Sequence, residues 1–265
     1  DSREAQARFD LVTAQEIAAQ NDLQVKHVAL DQLVGRVGTI PTRLAAPLTL
    51  PKVTPDNMQR WVDAALASQP QLRQAQLALD IAQLDTKKAE TGHKPTVDLQ
   101  AGYAVNRYPN GFMTPSLPAG TRTNSAQIGV VMNMPLFAGF AVQNRIKETL
   151  SLEDKARADL DNARRNVAQA ARAAFFGVQS GLSQVAALRA AESSSQSALD
   201  ANKLGYQVGV RINIDVLNAQ SQLYQTKRDL AAARYNVLVG TLRLKQVAGT
   251  LTMDDVTAVD ALLMR

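Results

Sequence analysis

Few residues in this chain are arranged to do covalent chemistry. The two histidines, His27 and His93, lie far apart, and neither has a second ligand at metal-binding spacing. Cysteine is absent, which excludes disulfides and thiolate metal sites. Asp254-Asp255 is an isolated acidic pair that reads as a helix-start signal rather than as acid/base machinery. No phosphate loop, GxGxxG, HExxH or GxSxG motif occurs. These residues predict no catalytic site, no metal and no cofactor.

The elements that would carry any other function are long helices. The chain has 265 residues, room for one large domain or two small ones. Its net charge is +5, but acids and bases alternate, and no basic stripe with interleaved aromatics points to nucleic acid. No run of 18 apolar residues marks a transmembrane helix. The organising stretch is Leu204 to Gln220, LGYQVGVRINIDVLNAQ. Proline-free helical patterns flank it, Gly139 to Lys203 upstream and Asp215 to Val247 downstream. A helix of about 60 residues would be roughly 90 Å long. Gly205 and Gly209 between them can take the positive φ of a tight reversal, so the stretch reads as the tip of a helical hairpin.

The downstream arm repeats Leu223, Leu230, Val237 and Leu244 every seven residues, with Thr226, Ala233, Gly240 and Val247 three further on. That is the 3.5-residue period of coiled-coil packing, with a second seam of mostly small residues. The upstream arm carries Ile146, Leu160, Ala163, Val167, Ala170, Ala174 and Val178 as its expected seam. Residues 1–35 resemble residues 215–249 at a constant offset: Asp1 falls on Asp215, Phe9 on Leu223, Leu23 on Val237, Leu30 on Leu244 and Gly35 on Gly249. One helix type therefore occurs twice, each copy ending at a glycine. The first copy starts without a signal peptide, a turn or an upstream arm, so we expect a first half to precede Asp1.

Between the copies, Pro41, Pro47, Pro51 and Pro55 make a connector, followed by a short helix capped at Thr54 or Asp56 with Trp61 as a packing anchor. Pro70 opens a helix to about Glu90 with Leu72, Ala75, Leu79 and Ala82 as its seam. The period then changes to two. Val97, Leu99, Ala101, Tyr103 and Val105 alternate with Thr96, Asp98, Gln100, Gly102 and Ala104; Ile128, Val130, Met132 and Met134 alternate with Gln127, Gly129, Val131 and Asn133. Each segment is about ten residues, the length of a tilted strand in a membrane β-barrel. A soluble, half-buried hairpin gives the same alternation. A turn-rich loop, residues 106–124, separates the two.

With these residues in view, the chain resembles the TolC family of trimeric outer-membrane channels from residue 1 to about 262. The tip GYQVGVRINIDVL is similar to that family's GYxVGxRxxxDVL. MPLFAGF at 134–140 resembles its LPI/LFxGG corner, with Phe140 replacing the second glycine, and GHKPTVDL at 92–99 resembles its GHLPTLDL. The match is closer to the family's namesake branch than to the lipid-anchored one. The resemblance implies a mainly α fold with a β-hairpin, in which long antiparallel helices of an α-barrel join two strands of a transmembrane β-barrel. Three protomers would form a 12-stranded barrel and a 12-helix tunnel. On that plan 1–35 is the end helix of the first repeat and 36–69 an equatorial connector with a short helix. Residues 70–92 form an α-barrel helix, 95–138 the transmembrane hairpin, 139–203 the long helix, 204–214 the periplasmic tip turn, 215–249 the return helix and 250–265 a C-terminal equatorial segment.

The resemblance also implies a function and its residues. The protein would be a passive homotrimeric exit duct in the outer-membrane lipid, extending into the periplasm. A periplasmic adaptor (membrane fusion protein) and an inner-membrane transporter would open it for efflux or type I secretion. Asp1, Tyr206 and Arg211 take the positions of a gating latch, in which charge-assisted bonds close the tip until a partner breaks them. Asp215 takes the position of a cation-attracting ring at the pore entrance, with Asn218 where a second acidic ring stands, so weaker cation block is expected. Gly205, Val208 and Gly209 are candidates for adaptor contact. The competing readings are a periplasmic coiled-coil adaptor, for which no flanking lipoyl-like strands are found, and an intracellular scaffold, which leaves the alternating segments unexplained.

Overall fold

The computed structural model describes residues 2–45, 49–108 and 120–264. The chain is mainly helical with one two-stranded antiparallel sheet. In order it forms α1 (Ser2–Val34), α2 (Met58–Ser68), α3 (Pro70–Glu90), a 3-10 turn (Thr91–His93), β1 (Thr96–Tyr108), β2 (Thr121–Asn133), α4 (Ala141–Gln207), α5 (Asn213–Val247) and α6 (Met253–Asp260). It divides into two compact units, residues 1–70 with 164–265, and residues 71–163.

The first unit is built on the heptad of α5. Leu223, Leu230, Val237 and Leu244 are all buried, and Trp61, Phe175, Val178 and Val185 join the last three in one core. Each such side chain contributes about 1.5–3 kcal/mol by leaving water. The small second seam lets backbones approach, since a Cβ on Gly240 would lie 3.3 Å from Val178; from the α4 side, one on Gly181 would lie 2.9 Å from Val237. Trp61 anchors α2 in this core and donates its indole N–H to the Pro55 carbonyl at 2.8 Å. The N-cap of α2 is Asn57 rather than Thr54 or Asp56; its Oδ1 accepts from the Gln59 and Arg60 amides at 2.9 and 3.3 Å.

The seam of α4 runs one residue away from part of the expected one. Ala170 is exposed, whereas Ala171 and Phe175 are buried with Val167 and Val178. Heptad spacing from Val178 leads back to Ala171, and the Ala-rich stretch around it carries no contrast to mark the face.

Both copies of the repeated helix stop in the same way. Gly35 and Gly249 take φ of 72° and 68°. Arg36 then donates to the Asp31 carbonyl at 3.2 Å, and Thr250 to the Lys245 carbonyl at 2.9 Å, the six-to-one bond of a Schellman stop. The side chains at these matching positions fasten the segment beyond each stop. Asp31 accepts the Gly38 and Thr39 amides, each at 2.8 Å. Lys245 pairs with Asp255 at 2.5 Å, and Asp255 closes the capping box of α6 with Thr252. The Asp254-Asp255 pair thus opens a helix. The connector and C-terminus meet in an antiparallel bridge, Leu44 with Leu263, flanked by Met264 donating to the Arg43 carbonyl at 2.7 Å.

Amide donation from Gly38 and then Thr39 holds the Asp31 carboxyl below its ordinary value of 3.8. The Lys245 ammonium and then the Thr252 amide do the same for Asp255. A depressed aspartate adds stability that is complete above its unfolded value and lost as pH falls through the folded one. Thermal melts run from neutral pH downward should therefore lose stability below about pH 4. Asp255→Asn should lower the melting temperature at neutral pH and reduce the acid-induced drop; an unchanged drop would remove the Lys245–Asp255 pair as its cause.

The two copies differ in one respect. Phe9 and Leu23 in α1 are 66% and 57% exposed, whereas their equivalents Leu223 and Val237 are 3% and 1% exposed. α5 has α4 and Trp61 against its seam, and the seam of α1 has no comparable cover among the described residues.

In the second unit, Leu79, Thr86, Thr149 and Leu160 are buried. The two threonines satisfy their hydroxyls on their own helices, Thr86 on the Ala82 carbonyl and Thr149 on Arg145 and Ile146. Gly92 is the close approach here, since a Cβ would lie 3.0 Å from Val142.

Candidate functional site

Two places carry the residues singled out from sequence. The first is the tip, in the unit containing α5. Helix α4 runs through Leu204 to Gln207, and α5 begins at Asn213, so the reversal is residues 208–212 rather than 204–214. Only Gly209 takes a positive φ, 81°. The Gly205 carbonyl accepts from both Val210, at 2.9 Å, and Arg211, at 3.1 Å, which ends α4 as α1 and α5 end. Gly205 itself is helical and serves a different purpose from the expected reversal: a Cβ there would lie 2.6 Å from Arg211 Cγ. Arg211 lays its stem across the missing side chain.

From that position Arg211 Nη1 lies 3.7 Å from Asp215 Oδ2, four residues on. Asp215 sits in the first turn of α5, where a carboxylate complements the helix dipole. Tyr206 is half exposed, and Asp1 lies outside the described residues. The structure thus brings Arg211 and Asp215 together and leaves the Asp1 pairing unaddressed. Val208 and Gly209 are exposed, and Gly205 is partly covered. Sequence reasoning missed two groups here. Leu204, Val210 and Ile212 extend the exposed apolar surface around Val208. Arg8 of α1 donates through Nη1 to Asn218 Oδ1, fastening the first copy's helix to α5 near the tip. No local pattern marks a pair 210 positions apart.

The second place is the β-hairpin. Its ladder runs from Thr96 opposite Asn133 to Tyr108 opposite Thr121, thirteen residues per strand rather than about ten, so residues expected in the loop belong to the strands. Residues 109–119 of that loop lie outside the described residues. The register puts Val97 opposite Met132, Leu99 opposite Val130, Ala101 opposite Ile128 and Tyr103 opposite Ala126, all on one face. The other face pairs Thr96 with Asn133, Gln100 with Gly129, Gly102 with Gln127, Ala104 with Ser125 and Asn106 with Thr123. One side is apolar and the other polar along most of the ladder. Val97, Leu99, Tyr103, Ile128, Val130 and Met132 are all exposed, although a soluble half-buried hairpin would cover them. The apolar stretch from Val97 to Val105 is about 27 Å along the strand, or about 21 Å along the normal at a 40° tilt, close to the apolar band of an outer-membrane barrel.

Beyond β2, Leu136, Phe137 and Phe140 are exposed, and the two rings meet edge-to-face at 6.2 Å. Phe140 holds φ at 64°, a left-handed conformation that disfavours side chains, next to Gly139 at 55°. The corner keeps the geometry of a double glycine while presenting a ring.

The outer membrane efflux protein family matches residues 61–250. This chain belongs to that family. It is 32% identical to the outer membrane protein TolC of Escherichia coli (strain K12) over all of its own length and 55% of that protein's. It is 28% identical to the alkaline protease secretion protein AprF of Pseudomonas aeruginosa, over 98% of this chain and 54% of that one. Among solved structures, the outer membrane protein VceC from Vibrio cholerae superposes with a TM-score of 0.73 at 20% identity, covering 93% of this chain and 57% of that one. The chain therefore spans about half the length of the curated relatives it matches, and the fold is that of the family's channels.

Proposed function

We propose that the chain supplies one repeat of a passive outer-membrane exit duct, used in efflux or type I secretion. The observation that carries this reading is the hairpin register, with one face apolar and exposed and the other polar. Such a ribbon suits a barrel wall between lipid and a watery lumen. Two strands cannot close a barrel, so further copies and a second repeat complete it, and a homotrimer is the reading that suits the family. The exposed seam of α1, with Phe9 and Leu23, is where a further helix of the assembly packs. The bridged segments 36–69 and 250–265 form its belt. No enzymatic step, cofactor or metal is assigned to it.

At the tip, Tyr206 and Arg211 hold the periplasmic end closed with Asp1, and Asp215 rings the entrance. A periplasmic adaptor reaches the exposed Gly205, Val208 and Gly209 surface, and an inner-membrane transporter drives export. The Arg211–Asp215 contact adds a coupling between the two roles, because the latch cation also neutralises the ring carboxylate. In planar bilayers Arg211→Ser should raise single-channel conductance and also strengthen block by trivalent cations, as Asp215 loses its partner. A protein that forms no channel would end the duct reading. A channel whose conductance ignores the substitution would end the latch alone.

A further inference from the structure

The apolar face of the hairpin does not end in neutral residues. Along the register past Val105 opposite Asn124, the next pair on the same face is Arg107 opposite Arg122. Two like charges directly across an antiparallel ladder repel and destabilise it, unless an anion lies between them. This end of the hairpin supplies none. No Asp or Glu occurs anywhere between Asp98 and Glu148, the loop included, and Asp98 sits toward the opposite end of the ladder on the opposite face, across from Val131. Arg122 is steered along its strand by a bond from Nε to Asn124 Oδ1 at 3.3 Å, on the same face, and that bond uses none of its terminal N–H groups.

We propose that Arg107 and Arg122 form a binding site for the phosphate of a membrane lipid headgroup, at the end of the lipid-facing wall away from the helices. The inference rests on the duct reading, which makes this face lipid-facing and this end the outer one. The pair stands about 5 Å along the normal beyond Val105, the last apolar residue of that face on β1, the depth at which hydrocarbon gives way to headgroups. Two guanidinium forks on adjacent strands suit the oxygens of a phosphate, and the bond is charge-assisted on both sides. The anion removes the cross-strand repulsion, so the lipid would close the ladder as well as be held by it. At the other end of the wall the exposed Phe137 and Phe140 mark the opposite interface with rings instead of charge.

The test reconstitutes the protein into phosphatidylcholine vesicles with or without a minority of phosphatidic acid and counts phosphatidic acid retained per protein by native mass spectrometry. Wild type should retain it selectively. Arg107→Gln with Arg122→Gln should reduce retention about tenfold or more, and the Lys pair, keeping charge without the fork, should fall between. Equal retention by wild type and the Gln pair overturns the site. So does protection by inorganic phosphate alone as strong as that by the lipid, since the ligand is then a free ion. Loss of assembly by the Gln pair in lipid-free detergent would also overturn it, because the arginines would then serve a protein contact. Failure of wild type to insert into phosphatidylcholine vesicles would be the failure of the duct reading itself, and flotation separates that outcome from the others.

Discussion

Val130→Arg should sharply destabilise the protein inserted in a membrane, while Val131→Arg, one residue along, should leave insertion and conductance near wild type. The two positions have the same side chain and the same strand, and differ only in face. Val130 stands opposite Leu99 on the apolar side, and Val131 opposite Asp98 on the polar side. An arginine on the lipid face of a barrel costs about 2–4 kcal/mol near the bilayer midplane. At Val131 the new cation meets water and an aspartate across the ladder, so no such cost arises. Urea titration of the protein folded into vesicles reads the difference as a lower midpoint for Val130→Arg alone. Equal sensitivity at both positions would mean that neither face meets lipid, and the hairpin would have to be assigned to an aqueous surface.

Features are legible in the sequence where neighbouring residues contrast. In α5, large apolar residues stand every seven positions among polar and charged ones, and all four are buried. In α4 the stretch from Ala168 to Ala174 is mostly alanine, so the sequence does not mark which face is inward, and Ala171 rather than Ala170 is buried. Burial of a repeated pattern also needs a partner. Phe9 and Leu23 match Leu223 and Val237 in sequence, yet they are exposed, since no described residue packs on them as α4 and Trp61 pack on α5. The strands read short because their apolar alternation fades before their backbone pairing does. Asn106, Arg107 and Tyr108 go on pairing along the main chain with Thr123, Arg122 and Thr121 regardless of side chain.

At the candidate site the geometry was not legible. The resemblance supplied Tyr206, Arg211 and Asp215, and the four-residue spacing of the last two allows the ion pair that forms. Why Gly205 lacks a side chain was not readable, because the reason is the stem of Arg211 returning across the reversal. The opposed arginines of the hairpin were equally hidden. Arg107 and Arg122 lie on either side of a long loop, and only the register shows that they face each other.

The glycines that end the repeated helices should respond unequally to alanine, with Gly249→Ala the more damaging. Both hold a positive φ, so alanine at either incurs backbone strain of about 1–2 kcal/mol. Around Gly35 nothing lies within 4 Å of an added Cβ, and that strain is the whole effect. At Gly249 the new methyl would stand 2.7 Å from the Ser68 carbonyl oxygen and 2.8 Å from its carbon. Those atoms belong to the last residue of α2, whose backbone is held by Ala65, Val62 and Trp61 in the core, so it yields only by moving the helix. Overpacking of this kind adds about 1–3 kcal/mol. Denaturant unfolding should therefore show Gly249→Ala losing about 2–5 kcal/mol and Gly35→Ala about 1–2 kcal/mol. Equal losses would show that α2 does not bear on the end of α5. A larger loss at Gly35 would mean that the first copy's stop is crowded in the assembly by a neighbour, and would locate one of its contacts.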